Sequence, residues 1–294
     1  MTLKVEGIIP AMVTPLKRDE SLDEDGLKSL VDYLVEAGVH GLFCCGSQGE
    51  LYALREDEKK RVAEVTIDRA NGRVPVYVGT GEITTEKVIA STKLAKNLGA
   101  DAVSIGTPYF IRPSASELYE HYKTVAETVD ITVLLYNNPG RTGVTLDPPT
   151  VSRLAEIDNI RGIKDSSGDM TLTAEYIRQT PDDFAVIAGR DSLIFATLLY
   201  GGKGAIAATA NVAPKLVVKI YNLFMNHDLE GAREAQLRLL PLRGAFELGT
   251  FPAVIKEAMT LIGRPCGPAK SPVGRLSGEN RKKLRVILKD LKLV

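Results

Sequence analysis

The chain has 294 residues, its 37 Lys and Arg are balanced by 37 Asp and Glu, and 44% of it is hydrophobic. Neutrality argues against nucleic acid as a partner, because a phosphate backbone is usually met by basic excess. The longest run without a charged residue, 37–49, has 13 residues; crossing a bilayer takes about 20 apolar ones, so no membrane span is expected.

The opening residues MTLKVEGIIPAMVTPL carry no long apolar stretch and no small-residue cleavage site, so no signal peptide is read. The first of eight short apolar runs lies here, at 7–13. The others follow at 41–45, 74–79, 101–106, 131–137, 160–164, 184–189 and 204–208. Most are nearly continuous rather than alternating, as expected for parallel strands covered on both faces. Helical segments separate them. Asp25 to Ala37 places Leu27, Leu30, Val31, Leu34 and Val35 at three- and four-residue steps and stops at Gly38. Helices are also predicted over 55–70, 84–98, 114–128, 147–156, 170–179, 191–200 and 214–226. Eight strand-then-helix units point to an α/β fold of the (β/α)8 TIM barrel type. An open doubly wound sheet is the alternative, but no Gly-x-Gly-x-x-Gly follows the first run. After 226 only helical periods remain, over 228–248, 251–262 and 277–291. The expected organisation is a barrel over 1–226 and a helical extension over 227–294 packed on it.

In such barrels the reacting groups sit at the carboxyl ends of strands. The second strand ends in Gly46-Ser47-Gln48-Gly49-Glu50, the fifth in Tyr136-Asn137-Asn138-Pro139-Gly140-Arg141-Thr142-Gly143, the sixth in Lys164-Asp165-Ser166-Ser167-Gly168 and the seventh in Gly189-Arg190-Asp191. Lys164 terminates an apolar run. A lysine held neutral at pH 7 costs about 4 to 5 kcal/mol; burial favours that form and makes a nucleophile able to form an imine with a ketone. The bland alternative is an ion pair with Asp165. Tyr136 is either a proton carrier or a core residue. Ser47 fits a carboxylate cradle, or simply a Gly-rich turn. Arg141 is either a bidentate carboxylate clamp or a surface residue. His40, His121 and His227 are scattered without metal-ligand spacing, and no metal is expected. Cys44, Cys45 and Cys266 form no Cys-x-x-Cys pair, which points to a reducing cytoplasm and away from disulfides or structural zinc.

Taken together, these strand ends resemble the dihydrodipicolinate synthase / N-acetylneuraminate lyase family of class I aldolases. The likeness extends to Gly7-Ile8-Ile9-Pro10-Ala11-Met12-Val13-Thr14-Pro15 and Gly201-Gly202-Lys203-Gly204-Ala205-Ile206 and runs nearly end to end. It implies that Lys164 forms an imine with pyruvate or another 2-keto acid, with no cofactor beyond that covalent bond. It further implies that Ser47 and Gln48 hold the keto acid's carboxylate, that Tyr136 carries the proton, and that Gly189 and Ile206 line the pocket. Arg141 matches the arginine with which synthases bind aspartate semialdehyde. Three positions depart from that pattern. Ser47 and Gln48 stand where synthases have two threonines, and Phe110 stands where they carry a tyrosine donated across a dimer interface; the relay it belongs to is broken unless Tyr109 or water substitutes. The expected activity is therefore condensation of pyruvate with an aldehyde, most like a 4-hydroxy-tetrahydrodipicolinate synthase. The alternatives are a retro-aldolase or dehydratase of a 2-keto-3-deoxy sugar acid or N-acetylneuraminate, and a non-catalytic keto-acid-binding barrel. Family likeness also implies a homo-oligomer, dimer or tetramer, with the loop of Tyr109 and Phe110 near a neighbour's site.

Overall fold

A computed structural model describes residues 3–294. Eight parallel strands, β1 (Gly7–Pro10), β2 (Leu42–Cys44), β3 (Val76–Gly79), β4 (Ala102–Gly106), β5 (Thr132–Asn137), β6 (Ile160–Asp165), β7 (Ala185–Ala188) and β8 (Gly204–Ala207), pair in the order β1-β8-β7-β6-β5-β4-β3-β2. A bridge from Ala11 to Phe43 brings β1 to β2, and Met12 N–H donates to the Phe43 carbonyl at 2.9 Å. The barrel is thereby nearly closed, as the alternation of strands and helices predicts.

Helices α1 (Glu24–Glu36), α2 (Glu56–Ala70), α3 (Thr85–Asn97), α4 (Ala115–Thr128), α5 (Pro139–Thr142), α6 (Pro148–Leu154), α7 (Met170–Gln179), α8 (Ile194–Leu199) and α9 (Pro214–Met225) fall between or after the strands. Their starts are set by side-chain caps: Asp23 accepts from Gly26 N–H at 3.0 Å ahead of α1, and Ser114 with Glu117 forms a reciprocal box ahead of α4. The helix expected over 191–200 begins instead as a 3-10 turn, Asp191–Leu193, because the Asp191 carboxylate is engaged by Thr209 on the next loop. The short α5 was not expected; Pro139 at its first position presets the turn.

Side chains alternate across each strand. Ile9, Phe43, Tyr77, Leu134, Ile187 and Ile206 fill the barrel interior as one buried cluster. The opposite faces of the strands pack with the helices in a larger one that includes Ile8, Val78, Ile105, Leu135 and Ile163. Helices α10 (Leu229–Gly244), α11 (Ala253–Leu261) and α12 (Gly278–Asp290) follow the barrel. The basic α12 buries Leu284 and Leu288 and leaves its charges in solvent.

Candidate active site

The carboxyl ends of the strands open on a cavity of about 260 Å³. Lys164 enters it from β6, opposite Tyr136 of β5 in register, and is only 5% exposed. Its Nζ lies 4.3 Å from the Tyr136 ring centroid and 5.1 Å from that of Phe43. The ion pair with Asp165 does not form. One residue further along the strand, Asp165 points to the other face and accepts from Asn137 Nδ2 at 2.9 Å, Ser167 Oγ at 2.8 Å and Thr173 Oγ1 at 2.7 Å. Among the described residues Lys164 has neither a hydrogen-bonded nor an ion-paired side chain beside it. A buried amine left so is free to react.

Tyr136 turns its phenol to the same cavity, where Asn138 Nδ2 donates to it at 2.6 Å. Burial pushes the phenol up, but the Lys164 charge and hydrogen bonds from Asn138, Ser47 and Ser166 outweigh it, and the group ends below its ordinary value. A phenol placed between an amine and two hydroxyls, with its proton loosened, is suited to passing protons.

Ser47 and Gln48 line the same cavity, on the loop after β2. That loop is pinned from beneath: Thr14 Oγ1 donates to the Gly49 carbonyl at 2.7 Å, and the Glu50 carboxylate accepts from Lys270 N–H at 2.6 Å and pairs with Lys256 at 2.5 Å. Glu50 has φ of 63°, a left-handed conformation rare outside glycine that a non-glycine residue keeps only when its surroundings hold it. Gln48 is 3% exposed, and neither end of its amide has a protein partner. A buried amide in that state costs stability unless a ligand or water completes it.

Gly189 and Ile206 also line the cavity. A Cβ on Gly189 would come within 2.1 Å of Ser166 Oγ, so only glycine lets the end of β7 lie against the Lys164 strand. Arg141 reaches the cavity with its guanidinium 4.0 Å above the Phe251 ring. Tyr109 and Phe110 are not part of this wall. Tyr109 is half-buried near Glu82 and Lys59, and Phe110 is 95% exposed with φ of 75°.

Sequence reasoning gave no role to Asn138 or Ser166, although both stand in the strand-end motifs. Arg190 was visible at the end of β7. Arg243, Phe246 and Phe251 carried no signal, since the chain brings them back to the cavity from the extension about 80 residues beyond Lys164. The extension therefore supplies part of the cavity wall as well as packing on the barrel. No three His, Cys, Asp or Glu side chains among the described residues gather closely enough to hold a metal ion, and no helix among them is long and apolar enough to cross a membrane.

The family model for the Dihydrodipicolinate synthetase family matches residues 4–291. The chain belongs to this family. A 4-hydroxy-tetrahydrodipicolinate synthase of Methanopyrus kandleri is 39% identical over 100% of this chain and 99% of its own length. Among solved structures, a chloride-inhibited dihydrodipicolinate synthase from Acinetobacter baumannii, complexed with pyruvate, superposes with a TM-score of 0.96 at 36% identity, covering 98% of this chain and 99% of the other. YagE, a prophage protein of the dihydrodipicolinic acid synthase family from E. coli K12, also in complex with pyruvate, gives a TM-score of 0.95 at 36% identity over the same shares. Members of this family are class I lyases and synthases, and this chain is a Schiff-base lyase of that class.

Proposed function

We propose that Lys164 condenses with the keto carbon of pyruvate and that the resulting enamine attacks an aldehyde. The observation that carries this reading is a buried, unpaired Lys164 amine beside Tyr136 in a cavity also lined by Ser47 and the partnerless Gln48 amide. Lys164, once its ammonium has passed a proton into the site, adds to the keto carbon as the free amine, and the oxygen leaves as water after two protons are delivered to it. The iminium that remains withdraws electrons from C3, which loses a proton to become an enamine. C3 then forms a bond to the aldehyde carbon, whose oxygen takes up a proton, and water releases the product from Lys164. Tyr136 carries protons at the oxygen-loss and bond-forming steps. Ser47 and the Gln48 amide hold the keto acid's carboxylate, so that the keto carbon faces Lys164.

The activity this supports best is that of a 4-hydroxy-tetrahydrodipicolinate synthase, with aspartate semialdehyde as the aldehyde and Arg141 on its carboxylate. Ser47, Gln48 and Phe110, which differ from the synthase pattern, favour a second reading: reversible cleavage of a 2-keto-3-deoxy sugar acid. The decisive experiment is borohydride reduction with pyruvate. An irreversible mass gain on Lys164 is expected. Its absence would leave a keto-acid-binding barrel without the lyase chemistry. Relative turnover of aspartate semialdehyde with pyruvate and of the sugar acid then separates the two activities.

The cavity draws on 1–226 and on 227–294, so both parts act as one unit. The fully exposed Phe110 in a constrained backbone supports association of chains through that loop, and the three buried free cysteines suit a reducing cytoplasm. Sedimentation is expected to give a mass of at least two 31.8 kDa chains; a single-chain mass at micromolar concentration would contradict the association.

A further inference from the structure

Tyr136 is followed by two asparagines whose side chains are put to different uses. Asn137 is fully buried, and both ends of its amide are taken: Nδ2 donates to Asp165 Oδ1 at 2.9 Å, and Oδ1 accepts from Leu146 N–H at 3.1 Å. Those bonds tie β5 to β6 and to the loop ahead of α6. Asn138, one residue on, lines the cavity instead, and its Nδ2 donates to the Tyr136 phenolic oxygen at 2.6 Å.

Asn138 also gives up the local role that its position offers. It immediately precedes α5, where asparagine is favoured because its side-chain oxygen can accept from the first free N–H groups of a helix. Asp147 ahead of α6 and Asp169 ahead of α7 do this, accepting from Thr150 N–H at 2.9 Å and from Thr171 N–H at 2.8 Å. The Asn138 side chain makes no such bond. Its backbone is fixed by other means: its carbonyl accepts from Arg141 N–H at 3.0 Å, Thr142 N–H at 3.1 Å and Thr142 Oγ1 at 3.2 Å. The amide is thus carried on a held backbone and spent on the phenol.

An amide nitrogen donates and does not accept. Its bond occupies a lone pair of the phenolic oxygen and leaves the phenol's own proton no acceptor on that side. The proton is directed at the remaining neighbours, the Ser47 and Ser166 hydroxyls. The bond also tightens when the proton leaves, because a charged acceptor is held roughly twice as strongly as a neutral one. We propose that Asn138 is a positioning residue of the reaction: its amide holds the Tyr136 oxygen, turns the phenolic proton toward Ser47 and Ser166, and stabilises the phenolate when the O–H bond breaks and leaves its electron pair on oxygen. The inference deepens the imine reading of Lys164 and Tyr136 and rests on it for its kinetic consequence.

Two substitutions test this. Asn138→Leu removes the donor, and Asn138→Asp puts an acceptor of the same shape in its place, so the second carries the test if the first does not fold. Pyruvate adduct formation, trapped by borohydride at timed intervals, should be about 10- to 100-fold slower in Asn138→Leu and slower still in Asn138→Asp, with pyruvate affinity changed by less than about twofold. In a Tyr136→Phe background either substitution should alter the rate by less than about twofold, because Asn138 acts through the phenol. An equal loss in that background would make Asn138 a prop for α5 and overturn the proposal. The second readout does not need the imine. Phenolate absorbance, taken as the difference between each protein and its Tyr136→Phe counterpart, should move to higher pH in Asn138→Leu and further in Asn138→Asp. Lys164, Arg141, Arg190, Arg243 and Asp191 line the same cavity and are unchanged in all of these proteins, so the shift isolates position 138. Trapping without a titration shift removes the Asn138 role and keeps the imine; a shift without trapping in the unaltered protein removes the imine and keeps the coupling of Asn138 to Tyr136.

Discussion

Two lysines among the described residues are almost wholly buried, and their surroundings are opposite. Lys256 of α11 is 2% exposed, pairs with the fully buried Glu50 at 2.5 Å and donates to the Pro268 carbonyl at 2.7 Å. Lys164 of β6 is 5% exposed and faces two aromatic rings. Burial pushes the Lys256 ammonium down from its ordinary value, and Glu50 pulls it partly back. The difference teaches how burial alone fails to mark a nucleophile. A buried lysine with a carboxylate and a carbonyl is a fastener, here tying the extension to the loop of Ser47 and Gln48. A buried lysine without either, open to a cavity, is left for a ligand.

The largest expected effect tests Lys164 as the proposed nucleophile. Lys164→Ala should abolish the pyruvate adduct and lower turnover by more than about 10³-fold while the circular dichroism spectrum is retained. If the variant still traps pyruvate, the nucleophile lies elsewhere. Lys256→Met should do the reverse. Leaving Glu50 buried and unpaired should cost about 3–5 kcal/mol in urea unfolding, with the pyruvate adduct still formed on Lys164. Recovery of most of that loss by adding Glu50→Gln would assign it to the uncompensated charge; no recovery would point to packing instead.

A smaller effect sharpens what surrounds Lys164. Tyr136→Phe should slow adduct formation by about 10² to 10⁴-fold with pyruvate affinity nearly unchanged; an equal loss in both would make Tyr136 a binding group. The sign of the electrostatic coupling can also be read directly. The Lys164 charge stabilises the Tyr136 phenolate, so in Lys164→Ala the phenol should ionise at higher pH than in the unaltered protein. A phenolate absorbance titration that moves to lower pH would contradict the contact.

Much of the inner site was legible because (β/α)8 chemistry is concentrated at strand ends, and each strand end is a contiguous stretch of sequence. Lys164 was recognisable as the polar terminus of an apolar run, and Tyr136 as its counterpart on the preceding strand. Gly189 was placed from likeness, and the reason for it came from the close approach of Ser166 Oγ. From the residues alone the choice between an unpaired Lys164 and one paired with Asp165 stayed open, and only the family likeness favoured the unpaired amine. Adjacent residues on a strand face opposite ways, but which face is the cavity depends on the closed barrel.

The sequence by itself determined the alternation of strands and helices, the nearly closed barrel and the set of strand-end residues, because local periodicity and turn chemistry act over a few neighbours. Only the tertiary structure decided which of two buried lysines is paired, and that Arg243, Phe246 and Phe251 return from the extension to complete the cavity. Those are contacts between residues far apart in the chain, and a contact of that kind depends on how elements pack rather than on any pattern along a single segment.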